Sequence, residues 1–326
     1  MKVMVTGGTG FTGTALVRRL LMDGHAVVAL DYKEGLAASE LKRRGAEVIF
    51  GSVTDRELVT RAMRGVDVVH HLAAAFRELN VPEQHYHDVN VEGTRNVLTA
   101  AARASVQKVV YCSTCGVHGN IDDPPGDEDS PIRPADYYQQ TKYEGEMEVS
   151  RLVRQGLPAT TLRPMAIYGP GDPARFLFLY KAVRGGRFLM FGDGATFYHP
   201  LYIDNLVDAF ELAGNRPGRG DVYLIGDDRY CALNDLVRAV GTSLGLTVRI
   251  IHLPFAPLWV AAIACEAICT PLRLEPPLFR RRADWFRQNR AFSIDRAREG
   301  LGYQPRVDLP TGLARTAEWY RQHGYL

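Results

Sequence analysis

The chain has 326 residues, 46% of them hydrophobic and 23% charged, with a formal net charge of +2. That length predicts one large domain with a smaller lobe, and the near-neutral balance excludes any global electrostatic footprint for nucleic acid. Five cysteines, an odd count without dense spacing, predict reduced thiols, and the absence of a secretory pattern before the first strand predicts a cytoplasmic protein.

The apolar run Lys2-Val3-Met4-Val5 predicts a buried strand, and residues 15–21 have the periodicity of a helix. Between them lies Thr6-Gly7-Gly8-Thr9-Gly10-Phe11-Thr12-Gly13. Glycines where a strand becomes a helix let an anion approach the backbone and the positive end of the helix. A second strand over 26–30 ends in Asp31, 18 residues beyond Gly13, close to the ~20 expected of a carboxylate that binds the adenosine ribose of a dinucleotide.

Strands and helices then alternate. Helical patterns over 36–44, 56–63 and 89–102 separate apolar strands over 47–50, 66–72 and 108–111. The alternation predicts an α/β fold, a doubly wound parallel sheet with right-handed crossovers, whose ligands lie beyond the carboxyl ends of the strands. Ser113 and Thr114 stand at such an end. Cys112 and Cys115 form a single CxxC on a buried strand with no further ligands nearby, so no metal is expected. The loop 119–134, with the charge run Asp127-Glu128-Asp129, reads as a solvated surface connection.

A helix over 137–154 carries Tyr138 and Lys142, four residues apart on one face. A phenol with a pKa near ~10 is a poor base at neutral pH, and a neighbouring ammonium lowers it. The pair can then exchange the proton that accompanies hydride transfer, with a hydroxyl from Ser113 or Thr114 as the third member.

A strand over 159–162 leads into Arg163-Pro164, and beyond Gly169-Pro170-Gly171-Asp172 the alternation loosens. We place a dinucleotide-binding domain at 1–170, its sheet completed by later segments near 201–213, and a discontinuous substrate lobe mainly at 171–326. Short strands over 188–191, 201–203, 222–225 and 248–251 mix there with helices over 206–213 and 233–244. Residues 253–272 are strongly apolar, and Arg273, Arg280, Arg281, Arg282, Arg287 and Arg290 follow. Two readings stand: a packed helix pair covering the substrate cleft, or a surface within 253–290 that dips peripherally into anionic lipid. The continuous apolar part is too short to span a bilayer.

Over nearly its full length the chain resembles the extended short-chain dehydrogenase/reductases, the NAD-dependent epimerase/dehydratase group. The match runs through Thr6–Gly13, Asp31, His71-Leu72-Ala73-Ala74, Asn90-Val91-Glu92-Gly93-Thr94, Ser113-Thr114, Tyr138/Lys142, Leu162-Arg163-Pro164, Tyr168-Gly169-Pro170-Gly171 and Tyr202-Ile203-Asp204-Asn205. The apolar 253–272 stretch and Glu275-Pro276-Pro277-Leu278 resemble the 3β-hydroxysteroid dehydrogenase-like branch. The resemblance implies NAD as cofactor, a small-molecule substrate and a homodimer.

By the same resemblance, Tyr138 is the acid/base and Lys142 holds the nicotinamide ribose. Thr114 binds the substrate oxygen, with Ser113 as understudy. Gly7, Gly10, Phe11, Thr12, Gly13, Asp31, Ser52, Val53, Leu72, Ala73, Ala74 and Pro164 line the cofactor. Asp31 favours NAD, since a carboxylate repels a 2′-phosphate. Ser52 replaces the family's usual Asp and is expected to accept from the adenine amino group.

Dehydratases and decarboxylases of the group carry an acid after the catalytic Thr, where this chain has Cys115-Gly116. Nucleotide-sugar members usually carry an Arg-Asp pair where Tyr198 and His199 stand. Cys115, Tyr198 and His199 are therefore the substrate candidates. The favoured activity is reversible oxidation of a secondary alcohol on an apolar, sterol-like or lipid substrate. The alternatives are a nucleotide-sugar 4-epimerase with tightly bound NAD and a non-catalytic NAD-binding sensor.

Overall fold

The computed structural model describes residues 1–76, 81–172, 175–269, 274 and 276–326. Arg273, Glu275 and the end of the apolar stretch at 270–272 lie outside the described residues. The first half runs β1 (Lys2–Thr6), α1 (Phe11–Met22), β2 (Ala26–Asp31), α2 (Ala38–Arg43), β3 (Glu47–Phe50), α3 (Arg56–Ala62), β4 (Val68–His71), α4 (Glu83–His87), α5 (Gly93–Arg103), β5 (Lys108–Cys112), α6 (Tyr137–Val153) and β6 (Ala159–Pro164). A π-helical turn, Asp88–Glu92, joins α4 to α5.

Seven parallel strands form the central sheet in the order β11-β6-β5-β4-β1-β2-β3, where β11 is Val222–Ile225. Strand order reverses between β1 and β4, which opens a crevice beyond their carboxyl ends. There Thr6 pairs with His71. The strands are nearly continuous apolar runs because both faces are covered. Val3, Val5, Val27, Ala29 and Val110 face one core, with Leu16 and Phe210. Met4, Val28, Leu30, Val109 and Tyr111 face the other, with Val97, Leu98 and Val149.

The second half contributes β7 (Ala166–Tyr168), α7 (Arg175–Val183), β8 (Arg187–Phe191), β9 (Phe197–Tyr198), β10 (Pro200–Tyr202), α8 (Ile203–Gly214), β12 (Cys231–Ala232), α9 (Leu233–Ser243) and β13 (Arg249–Leu253). It ends with α10 (Phe255–Cys269), α11 (Arg280–Ala283), α12 (Asp295–Leu301) and α13 (Leu309–Gln322). The seventh strand of the main sheet is thus β11, not a strand from the segment near 201–213. That segment supplies β10, paired with β7 in a separate two-stranded sheet, and α8. The α8 residues Leu206, Val207 and Phe210 belong to the sheet's first core, because this helix carries apolar residues on the side turned to α1. A third core, rich in aromatic residues, joins α7, α9 and α13 through Tyr180, Leu236 and Tyr320.

The loop 119–134 is less solvated than its composition predicts. Gly126 forms a bridge with Phe292, and buried Glu128 accepts from Leu224 N–H at 2.8 Å. Only Asp127 and Asp129 of the charge run are exposed.

Candidate active site

The glycine turn is shaped by close approach. Gly7 has φ +67°, and a Cβ there would lie 3.0 Å from the Ala73 nitrogen; one on Gly13 would lie 2.0 Å from the Gly7 carbonyl oxygen. Helix α1 begins at Gly10 with no side-chain cap. The first-turn N–H groups, from Phe11, Thr12 and Gly13, thus face the crevice as a positive helix end suited to an anion. Asp31 is buried, and its Oδ2 accepts from Thr9 N–H at 3.0 Å and from the Thr9 hydroxyl at 2.9 Å. The acid therefore pins the turn through one of its oxygens.

Ser52 departs from its expected role. Its Oγ already accepts from Thr54 N–H at 3.1 Å and from the Thr54 hydroxyl at 2.8 Å. Ser52 is thus engaged within its own turn, and an adenine amino group would compete with Thr54 for its oxygen. The Val53 side chain is core, packed beneath Gly93.

At the end of β4 a directed chain of hydrogen bonds sets the backbone of Leu72, Ala73 and Ala74. Ala73 N–H donates to Thr6 Oγ1 at 3.1 Å, and Thr6 meets His71 Nδ1 at 2.6 Å. His71 Nε2 meets Thr94 Oγ1 at 2.9 Å, and Thr94 donates to the Asn90 carbonyl at 2.7 Å. This order assigns the ring proton to Nε2. Burial, and then Lys142, lower the His71 pKa to about 3, so the ring is neutral. Asn90 accepts from Ala75 N–H at 2.8 Å and donates to Thr141 Oγ1 at 2.9 Å. It ties the loop after β4 to α6.

Helix α6 starts under the Asp136 cap, which accepts from Gln139 N–H at 2.9 Å. Gly145 lets it sit tightly on β5, since a Cβ there would lie 2.2 Å from the Tyr111 hydroxyl oxygen. Tyr138 is half-buried with its ring centroid 4.8 Å from that of Phe76. Lys142, one turn on, is buried; its Nζ has no hydrogen-bond partner among the described residues and lies 4.3 Å from the Tyr111 ring centroid. Burial lowers its pKa to about 8, opposed by Cys112 and Glu146. An ammonium in this position is short of acceptors, and a ribose diol would supply them.

One further turn along lies Glu146, buried and unremarked in the sequence. Arg163 grips it with two bonds, Nε to Oε1 at 3.0 Å and Nη2 to Oε2 at 2.6 Å. The Ser113 hydroxyl donates to the same carboxylate. Arg163 Nη1 also donates to His118 Nε2 at 2.9 Å, while His118 Nδ1 donates to the Ser130 carbonyl at 2.9 Å. Burial, and then Arg163, lower the His118 pKa, in keeping with a neutral ring. Thr114 is half-buried, and its Oγ1 accepts from Gly116 N–H at 3.1 Å. Its own proton remains to be given away. Pro164 is buried at the end of β6, opposite Ile225 of β11.

The three substrate candidates are turned inward. Cys115 is part of the first core. The Tyr198 ring packs 6.1 Å from Trp285 and 6.4 Å from Phe176. His199 is 2% exposed, with Nε2 on the Asp227 carbonyl at 2.8 Å and Nδ1 facing Phe292 N–H at 3.5 Å. None of the three, and none of Tyr138, Lys142 and Thr114, is among the residues that line a 360 Å³ cleft between the start of α6 and residues that include Trp259 and Arg290. Asp136, Gln139, Trp259, Glu266, Arg280 and Arg290 are among the residues that do.

A family model of the NAD dependent epimerase/dehydratase family matches residues 3–226. The chain belongs to that family. It is accordingly an NAD-dependent enzyme of the extended short-chain dehydrogenase/reductase type. A 2-alkyl-3-oxoalkanoate reductase of Stenotrophomonas maltophilia is 33% identical, over 97% of this chain and 98% of its own. A 3-beta-hydroxysteroid dehydrogenase of Mycolicibacterium neoaurum is 30% identical, over 98% of this chain and 91% of its own. The structure of MoeE5 in complex with UDP-glucuronic acid and NAD superposes with a TM-score of 0.78 at 26% identity, covering 99% of this chain and 100% of that one. Within the family frame, the uncapped start of α1, the Gly7/Gly13 cradle and the partnerless Lys142 ammonium are features that NAD fits.

Proposed function

We propose that this family member interconverts a secondary alcohol and a ketone on an apolar substrate. NAD, bound at the β1/β4 crevice, supplies the hydride acceptor or donor. Asp31 accepts from the adenosine ribose, and the α1 N-terminus faces the pyrophosphate. Lys142 donates to the nicotinamide ribose and, as a cation, favours the Tyr138 phenolate. Thr114 donates its proton to the reacting oxygen, and Tyr138 takes or returns that oxygen's proton.

The observation that carries the substrate class is the inward packing of Tyr198 and His199. Where the sequence resemblance calls for a cation facing a diphosphate, this chain has a buried phenol and a buried imidazole, the latter with a lowered pKa. The names of the two relatives, one an oxoalkanoate reductase and one a hydroxysteroid dehydrogenase, support the same direction.

Arg280 and Arg290 on the cleft wall favour a second reading, a nucleotide-sugar epimerase, because guanidinium groups suit a diphosphate. Incubation with NAD and either hydroxysteroids and long-chain secondary alcohols or UDP-hexoses separates the two. The dehydrogenase yields net NADH absorbance with the apolar pool. An altered sugar without net NADH would replace that reading with the epimerase.

A further inference from the structure

Helix α10 is apolar on every side, and Glu266 is its one charge. A helix of that kind in a water-facing fold is normally buried. Here, among its described residues, only Ala262 is. Val260, Ile263 and Ile268 are 65%, 45% and 63% exposed; Val260 and Ile263 are one turn apart, and all three fall within one half of the helix circumference. Glu266 is turned toward the cleft, where it is paired with Arg280 at 2.6 Å.

The helix has no polar face of its own, but arginines border it. Arg287 lies 4.0 Å from the Trp259 ring centroid and 5.3 Å from that of Phe255. Arg282 lies 4.1 Å from the ring of Phe178, itself 58% exposed. Between residues 253 and 290 the sequence has six arginines against three acids, an excess larger than the net +2 of the whole chain. Of the described arginines, Arg280 is paired with Glu266 and Arg287 with Asp284 at 2.6 Å, so the segment's excess of positive charge is a modest one, set beside an exposed apolar helix.

We propose that α10, with Arg282 and Arg287, docks this protein on an anionic lipid bilayer. The apolar side of the helix enters the acyl boundary lengthwise, and Trp259 with the two guanidinium groups lies at headgroup level. At ~22 Å for its fifteen residues the helix is too short to cross. A second copy of the chain fits less well, since pairing this face with itself would bring two arginine clusters together. The proposal is independent of which substrate the enzyme oxidises.

The test is vesicle flotation of the full chain with phosphatidylcholine alone and with roughly a third phosphatidylglycerol. The expected result is at least about fivefold more protein on the anionic vesicles, an excess that falls in about 0.5 M salt. Val260→Glu with Ile268→Glu should abolish flotation while thermal unfolding and NAD binding stay unchanged. Arg282→Gln with Arg287→Gln should remove the preference for anionic lipid. Quenching of wild-type tryptophan fluorescence by brominated anionic lipid gives a readout that needs no variant. Wild type left unbound at both compositions, equal binding to neutral vesicles, or flotation that survives the folded double-Glu variant would each overturn the proposal. So would a dimer in sedimentation equilibrium that the double-Glu variant converts to monomer.

Discussion

Ser113 gives its hydroxyl proton to the carboxylate of Glu146, and that commitment separates it from its neighbour. Thr114 accepts from Gly116 N–H and keeps its proton for another partner. Thr114→Val should therefore lower kcat by about 100-fold with the fold intact, the size of effect seen when one donor to a developing oxyanion is removed. Ser113→Ala should keep kcat within about tenfold but cost ~1–3 kcal/mol of stability, because the buried carboxylate loses a donor. Steady-state kinetics and urea unfolding on both variants check the contrast.

Lys142 should shape the pH profile. Its ammonium is present below a pKa of about 8 and fades above it. In the proposed mechanism a cation at Lys142 favours the Tyr138 phenolate. In the wild type, kcat/KM for alcohol oxidation should rise toward a ceiling near that pH. In Lys142→Met the rising limb should move up toward the ~10 of an ordinary phenol. Tyr138→Phe should lower kcat by about 1,000-fold while leaving NAD affinity within a few-fold. A Phe variant that binds NAD and keeps full biological activity would instead indicate a sensor.

Asp31 holds Thr9 by accepting two hydrogen bonds on one oxygen. Asn at this position has a carbonyl oxygen that can accept both, so Asp31→Asn removes charge while sparing the turn. NAD affinity should fall by about tenfold or more, the difference between a charged and a neutral acceptor. Discrimination against NADP should narrow at the same time. Titration of both nucleotides by fluorescence tests it.

Two buried histidines should make the protein acid-sensitive. Burial is the main cause that lowers His70 and His71 from 6.5 to about 3. A depressed folded pKa means that the unfolded chain binds the proton first. Stability is then complete above about pH 6.5 and is lost as pH falls toward 3, by up to a few kcal/mol per ring. His70 Nδ1 has no partner among the described residues and the ring abuts Phe210 at 5.7 Å. His70→Leu should flatten part of the fall in unfolding midpoint between pH 7 and 4.

The parallel strands, the phosphate turn and the Tyr138–Lys142 spacing were legible because each is written in neighbouring residues. Periodicity, glycine placement and an interval of four need no tertiary information. The Glu146–Arg163–His118 cluster was not legible, since its members are 17 and 45 residues apart and only the docking of α6 on β5 and β6 brings them together. Glu146 did lie four residues past Lys142, a signal available on the helix face. The inward turn of His199 depends on the Asp227 carbonyl, 28 residues away. The apolar stretch at 253–272 suits a packed cover and a lipid contact equally, because composition alone does not say whether such a helix meets protein or is left bare.

Asn90 bonds to Ala75, 15 residues before it, and to Thr141, 51 residues after it, and Thr141 in turn donates to the Tyr138 carbonyl at 3.0 Å. One amide thus acts as a strut between the strand-end loop beside the dinucleotide crevice and the helix that carries the phenol. Errors in the placement of these two parts are shared rather than accumulated along the intervening chain. The amide of Asn90 thus adds a direct tie between that loop and α6 to those that Tyr111 and Glu146 make with the sheet.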